Sequence, residues 1–589
     1  MTTEVAARLG RKNSSRARWG LVVLGSSCVV LGAVLTLRPF ASLAVLVLLV
    51  AVGLLLTGVS DLVRWRSARD RSSLLSGLLW LAAAVAVLAW PGLTVRTLAV
   101  VVGLALVLGG VARVVAALRG TRDERVAAVL LGAAAVVLGG LALAWPDVTV
   151  FVVAVVFGVR LLLYGLAQIA TAVRGRGRGA EESPVVGRRP WWRRWLATVG
   201  AAAALLVALA LLAVSVTLHR DTPVPDAFYA APADLPDQPG RLLRAEPFTR
   251  ALPDGAQAWR ILHTTTGEDG DQVAASAIVV APADRPAGDL PVVAWAHGTT
   301  GVARGCAPSV LENSFEAGAT PALDRVVANG WVMVATDYVG LGSEGEHAYL
   351  VGPPAGRAVL DAVRAARQLE DLSLGERTVV WGHSQGGHSA LWTGILAPDY
   401  APDAGVVGVA AMAPASNLPG LVANLDEVAG GVLFASYVME GYADAYDDVR
   451  YQDYVRPTAR VLVRELAARC LAEKSVAVSV VESLLLDRSP FSQAATSGRF
   501  GERLEENVPS ARIEAPLLLA QGEADQLVLP QAQAEYVAER CAAHGDVDYR
   551  TYPDRDHVPL VEDDSPLIPD LLSWTQDRFD GEPPPPTCP

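Results

Sequence analysis

At 589 residues the chain is longer than a single hydrophobic core holds, so two or three folding units are expected. The net charge of −12 is unevenly spread: up to Leu218 there are 23 basic and 8 acidic residues, and beyond it 26 and 53. A cationic, apolar half joined to an acidic, polar half reads as a membrane anchor plus a globular domain, and so acidic a domain excludes a nucleic-acid partner.

After a basic tail, 1–18, apolar stretches of the roughly 20 residues needed to cross a bilayer recur seven times. They cover 19–37, 41–60, 74–90, 97–117, 126–145, 148–171 and 196–217. A bundle of seven transmembrane helices is the fold expected of this half. Arginines cluster on alternate sides: before the first span (Arg8 to Arg18), after the second (Arg64 to Arg71), after the fourth (Arg119 to Arg125) and in the loop 173–195. By the positive-inside rule the N-terminus is cytoplasmic, and an odd number of crossings places everything beyond Leu218 on the extracytoplasmic side. Arg160 is the one charge well inside a span, where a bundle-facing or snorkelling role outweighs a catalytic one.

The first six spans repeat as three helical hairpins. Pro39, Pro91 and Pro146 each sit in a short outer turn, and Gly58, Gly110 and Gly165 each follow their proline by 19 residues. This pattern over 19–172 resembles the HdeD-like membrane proteins, a six-helix family associated with acid resistance.

A Pro- and Asp-rich linker, 218–240, leads into the second domain, expected over 241–580 and followed by a Pro-rich tail, 581–589. Short β-branched runs at 276–281, 291–296, 331–336, 378–382, 406–412, 516–520 and 547–551 predict strands. Segments 355–369, 385–396, 530–543 and 566–578 predict helices between them. This alternation predicts an α/β fold with a mostly parallel sheet. Between about 416 and 510 the pattern is helical without a core strand, as expected of a cap insertion.

Val379-Val380-Trp381-Gly382-His383-Ser384-Gln385-Gly386-Gly387 is an apolar strand, a G-x-S-x-G and a helix start, which makes Ser384 the candidate nucleophile. A serine needs a base, and the base needs a carboxylate, in the chain order Ser, Asp or Glu, His. Of eight histidines, only His544 and His557 lie beyond the nucleophile and its helix. His544 closes a helical segment, whereas His557 follows the last strand in a polar turn and is the expected base. Asp525, after the strand 516–520, is the expected carboxylate, with Glu523 the runner-up. Asp554 and Asp556 are too near His557 in sequence for that geometry and shape its loop. The oxyanion hole is expected from the backbone N–H groups of Gln385 and Thr299, with Gly298 and Thr300 as alternatives to the latter. No metal-ligand spacing or phosphate-binding loop occurs, so no cofactor is implied.

With these residues in place the domain resembles the secretory lipase family of α/β-hydrolases, which includes fungal secreted lipases and many actinobacterial relatives. The resemblance rests on Ala296-His297-Gly298-Thr299-Thr300-Gly301, Asp337-Tyr338-Val339-Gly340-Leu341-Gly342, Tyr349-Leu350-Val351-Gly352 and the nucleophile motif. It implies carboxylic-ester hydrolysis of a lipid or small ester under a helical cap, with Asp337 and Tyr338 in a structural role. Cys306, Cys470, Cys541 and Cys588 are four cysteines in an oxidising space. Of three pairings, Cys306 with Cys470 and Cys541 with Cys588 is favoured, with free buried thiols the alternative. Acyl transfer or peptide cleavage by the same groups, and a non-enzymatic envelope sensor, are the competing functions. Nothing in the sequence fixes an oligomeric state.

Overall fold

The computed structural model describes residues 223–589 apart from 286–287, 426, 429, 458, 486–488, 493–495, 546, 584–587 and 589. Before that it describes two helices, α1 (Arg122–Ala144) and α2 (Trp191–Arg220), and scattered positions between 22 and 170. Two compact units emerge, one holding residues 1–219 and the other nearly all of the remainder.

In the first unit, Arg125–Ala144 and Thr198–Leu218 are helical segments long and apolar enough to cross a membrane, with 22% and 11% of their apolar windows buried. Shorter apolar helices, Gly25–Val34 and Leu106–Val115, fall inside two further expected spans. Most of 41–60 and 74–90, the basic stretches 64–71 and 173–190, Arg119, Arg160, Pro39, Pro91 and Gly58 lie outside the described residues, while Arg122, Arg125, Arg193 and Arg194 belong to the first turns of α1 and α2. The repeat glycines that are described have a packing role. A Cβ at Gly110 would stand 2.6 Å from the Gly132 carbonyl oxygen, and one at Gly165 would stand 2.5 Å from that of Gly25. Backbones crossing this closely admit only glycine, as small residues do between membrane helices.

The second unit is built on a nine-stranded sheet in the order β1-β2-β3-β5-β4-β6-β7-β8-β9. The strands are β1 (Leu242–Phe248), β2 (Ala256–Thr266), β3 (Gln272–Pro282), β4 (Leu290–Ala296), β5 (Val332–Val339), β6 (Leu374–His383), β7 (Val406–Met412), β8 (Leu517–Gly522) and β9 (Val547–Tyr552). β1, β2, β3 and β5 pair antiparallel; from β5 onward every pairing is parallel. Central strands such as β4 and β8 are buried along nearly their whole length, so their sequences are continuous apolar runs. β1 and β2 are additions to the strands expected from sequence. β1 is a half-exposed edge strand, Leu-Leu-Arg-Ala-Glu-Pro-Phe, whose charges and proline belong on an edge and hide its period.

Helices cover both faces. On one, α3 (Gly352–Ala366), α4 (Gln385–Tyr400) and α6 (Pro530–His544) pack Val359, Leu391 and Val537 against Val292, Val334 and Leu519. On the other, α7 (Leu567–Asp580) places Leu571, Trp574 and Phe579 on a layer that includes Val293 and Trp381. The packed region starts earlier than residue 241, because Phe228 and Tyr229 of the linker are 4% and 1% exposed and the Tyr229 hydroxyl donates to the Ser309 carbonyl oxygen (3.0 Å).

Among the described residues between β7 and β8 the chain inserts helices and no sheet strand: Leu418–Asn424, α5 (Gly431–Ala445), Tyr451–Tyr454, Arg460–Ala467, Val476–Leu485 and Gly498–Glu506. Two disulfides are present. Cys306–Cys470 joins the segment after β4 to this insertion across 164 residues, and Cys541–Cys588 joins α6 to the tail across 47.

Candidate active site

Ser384 stands at the tip of the turn between β6 and α4 with φ 58° and ψ −120°, a left-handed backbone that costs a non-glycine residue energy. The turn is locked from both sides. Ser384 donates its N–H to the Met412 carbonyl oxygen (3.0 Å), and its own carbonyl accepts from His388 and Ala415. A Cβ on Gly382 would lie 2.0 Å from the Gly386 carbonyl oxygen, and one on Gly386 would lie 1.9 Å from that of Ala296. Strand, turn and helix approach too closely for any side chain, which is why the motif has glycines at these places.

The structure brings Ser384, His557 and Asp525 together. His557 Nε2 is 2.8 Å from Ser384 Oγ, and His557 Nδ1 is 2.7 Å from Asp525 Oδ2. An ionised carboxylate only accepts, so Nδ1 carries the proton and Nε2 faces the serine hydroxyl as acceptor. Asp525 is 3% exposed and held at every lone pair: Oδ1 accepts from the N–H groups of Leu527 (2.9 Å) and Val528 (2.8 Å), and Oδ2 also accepts from Gln521 Nε2 (3.1 Å). Glu523 instead accepts from Thr551 at the surface (2.8 Å). Asp556 shapes the histidine loop, its carboxylate accepting from the N–H groups of His557 (2.8 Å) and Gln526 (3.2 Å). The Ala524 N–H donates to the Arg555 carbonyl oxygen (3.0 Å), so acid loop and base loop are one hydrogen-bonded unit. His544 is the last residue of α6.

Of the expected oxyanion donors, Gln385 is the first residue of α4, with its N–H at the positive end of that helix. In the facing loop the Gly298 N–H donates to Gly318 O (3.3 Å). The Thr299 hydroxyl is within 2.7 Å of the Tyr349 hydroxyl, and the Thr300 carbonyl accepts from the Leu471 N–H of the insertion (2.8 Å). Gln385 Nε2 donates to His347 Nε2 (3.0 Å), while His347 Nδ1 donates to the Val339 carbonyl oxygen (3.0 Å). His383 Nε2 donates to the backbone carbonyl of His557 (3.0 Å). Gln521 and His347 thus support the site without a motif that marks them, whereas Tyr349 and His383 stand within motifs quoted above. Asp337 is wholly buried and accepts from Ser276 (2.6 Å) and from the N–H and hydroxyl of Ser309 (2.9 and 2.5 Å). It fastens β5 to β3 and to the loop after β4.

A cleft of about 700 Å³ opens beside Ser384 on the His557 side, and a smaller cavity of about 20 Å³ adjoins it at Ser384, Thr299, Phe434 and Leu527 and reaches Gln385.

The model of the secretory lipase family matches residues 317–586, the interval that carries the serine, the aspartate and the histidine. Residues 317–586 form a secretory lipase domain. Lipase A of Moesziomyces aphidis is 24% identical over 416 residues, covering 66% of this chain and 87% of that protein. A Mycobacterium tuberculosis protein named a probable inactive lipase is 26% identical, covering 61% and 83%. The crystal structure of Candida antarctica lipase A superposes with a TM-score of 0.53 at 20% identity, covering 62% of this chain and 88% of that one, and shows the shared fold. The lipase domain is accordingly a serine ester hydrolase of the α/β-hydrolase fold. In the other half a short repeat of unknown function (DUF308) matches three times, over 23–89, 75–134 and 130–215, consistent with a repeated membrane module.

Burial fixes the protonation of five further histidines in the second unit. Desolvation pulls His263, His297, His347 and His388 down to about 4 and His383 to about 3, from an ordinary value near 6.5. The folded state keeps them neutral while the unfolded chain binds protons below pH 6.5, so stability falls as pH drops from about 6.5 towards 4. Thermal melts of the purified protein are expected to show Tm lower at pH 5 than at pH 7.5 by on the order of 10 °C. A flat profile across this window would contradict the buried neutral histidines.

Proposed function

We propose that the chain is a membrane-tethered carboxylic-ester hydrolase that acts on a lipid or small ester at the extracytoplasmic face. The supporting observation is the relay Ser384 Oγ–His557 Nε2–Asp525 at 2.8 and 2.7 Å, set on a strained turn beside two backbone donors. Ser384 attacks the acyl carbonyl while His557 takes its proton. The oxyanion is held by the N–H groups of Gln385 and Thr299. His557 then protonates the leaving alcohol, and water releases the acyl-enzyme by the same steps in reverse. Asp525 keeps His557 in the required tautomer. The insertion after β7 acts as the cap over the acyl site.

The tether is read from seven apolar stretches and the alternation of arginines, with Arg125–Ala144 and Thr198–Leu218 as the two complete helices among the described residues. Ser384-dependent release of p-nitrophenol from p-nitrophenyl esters tests the chemistry. Protease treatment of intact cells tests the orientation: the lipase domain should be digested, and its full protection would refute an outward placement.

The two oxyanion donors are backbone groups, so removing the Thr299 side chain leaves them in place. Thr299→Ala is expected to lower kcat by less than about tenfold, whereas deleting a true oxyanion donor costs about 10²–10³. A thousandfold loss in Thr299→Ala, measured on p-nitrophenyl butyrate, would place the donor in the hydroxyl instead.

A further inference from the structure

The two spaces at Ser384 differ in size, lining and chemical position, and this difference sets what each half of the ester can be. His557 must protonate the departing alcohol, so the alcohol lies where His557 Nε2 can reach it. His557 lines the large cleft and not the small cavity. The acyl chain must leave the carbonyl on the other side, away from His557, where Gln385 lines the small cavity alone while Thr299 and Ser384 line both spaces. The remaining walls of that cavity are apolar and include Leu421, Leu425, Phe434, Val438 and Val528.

Its volume of about 20 Å³ is room for one or two water-sized groups. The wall is braced against enlargement. α5, which carries Phe434 and Val438, meets Tyr349 so closely that a Cβ at Gly441 would stand 2.7 Å from the Tyr349 nitrogen. The Tyr442 hydroxyl donates to the Leu350 carbonyl oxygen (3.0 Å), and the Tyr437 hydroxyl donates to that of Arg469 (2.7 Å). Tyr349 is in turn joined to Thr299. By contrast the cleft of about 700 Å³ is within the range of sites that enclose a whole small molecule. Its rim offers Asn313, Glu316, Gln526 and Asp556, and no lysine or arginine is among the described residues that line it.

We propose that the ester opened at Ser384 joins a short acyl group, of acetyl to butyryl size, to a bulky, uncharged polar alcohol. This rests on the hydrolase reading above and narrows it. The full-length protein in detergent should be assayed with p-nitrophenyl acetate, butyrate, octanoate and palmitate, and with glucose pentaacetate. The expected kcat/KM is highest for acetate or butyrate and at least 100-fold lower for octanoate, with Ser384-dependent acetate release from glucose pentaacetate. Val438→Ala and Phe434→Ala should each lower the butyrate-to-octanoate ratio by tenfold or more. An anionic leaving group should be penalised beside Glu316 and Asp556, so 4-acetoxybenzoate should turn over at least tenfold more slowly than phenyl acetate. Octanoate or palmitate matching butyrate would overturn the acyl assignment. Equal rates for the two phenyl acetates, or no release from the sugar ester, would overturn the alcohol assignment. No Ser384-dependent release from any ester would instead refute the hydrolase reading, and this inference with it.

Discussion

Replacing Ser384 with alanine is expected to lower kcat/KM on p-nitrophenyl butyrate by about 10⁴-fold or more, while the protein stays folded. The Ser384 side chain makes one hydrogen bond, to His557, and the positions that hold the turn are backbone groups and glycines. Removing Oγ therefore removes the attacking atom and little else. A 10⁴-fold loss corresponds to about 5.5 kcal/mol of transition-state stabilisation, more than desolvation or positioning alone would supply at one contact. Asp525→Asn should lose activity on a similar scale. Its amide could still sit among the N–H groups of Leu527 and Val528, yet it would no longer hold the proton on His557 Nδ1. The readout that separates chemistry from damage is covalent labelling by a fluorophosphonate: wild type should label, Ser384→Ala should not, and both should melt together. Wild-type protein that is folded but neither labels nor turns over any ester would place it with its relative named a probable inactive lipase, despite an assembled relay.

The relay could be read from sequence because its members are marked by local chemistry. Ser384 sits among glycines that only a crowded turn demands, and Asp525 and His557 each follow a strand in a fixed chain order with few competitors. The supporting residues carry no such mark. Gln521 reaches Asp525 because both flank the end of β8, and His347 meets Gln385 because a loop after β5 folds under α4. These are contacts between segments that sequence pattern leaves unrelated. β1 escaped for a different reason: at a half-exposed antiparallel edge, Arg244, Glu246 and Pro247 dilute the alternation that buried strands show. In the N-terminal half, the spacing of Gly110 and Gly165 could be seen, but their role as crossing points with Gly132 and Gly25 needed coordinates. The insertion is the most opaque segment. Its helical pattern is plain, but the walls it gives the acyl cavity depend on Leu421, Phe434 and Val438 arriving at one place from two helices.

Because that insertion closes the acyl side, the bond that fastens it should matter to both stability and turnover. Cys306–Cys470 closes a loop of 164 residues, and opening a native disulfide costs about 2–5 kcal/mol, the larger end applying to long loops. The double variant Cys306→Ser with Cys470→Ser is expected to lower the Tm of the lipase domain by on the order of 10 °C. Activity at 25 °C should fall as well. Cys470 precedes Leu471, whose N–H donates to Thr300 next to the oxyanion loop and whose side chain lines the cleft. The pair Cys541–Cys588 is the control, since it ties α6 to the tail and neither cysteine lines the cleft or the cavity. Breaking it should lower Tm with kcat nearly unchanged at 25 °C. Equal losses of kcat from both double variants would mean that the disulfides act only through global stability. A selective loss from the first would show that the insertion must be pinned at Thr300 for the oxyanion loop to hold its place.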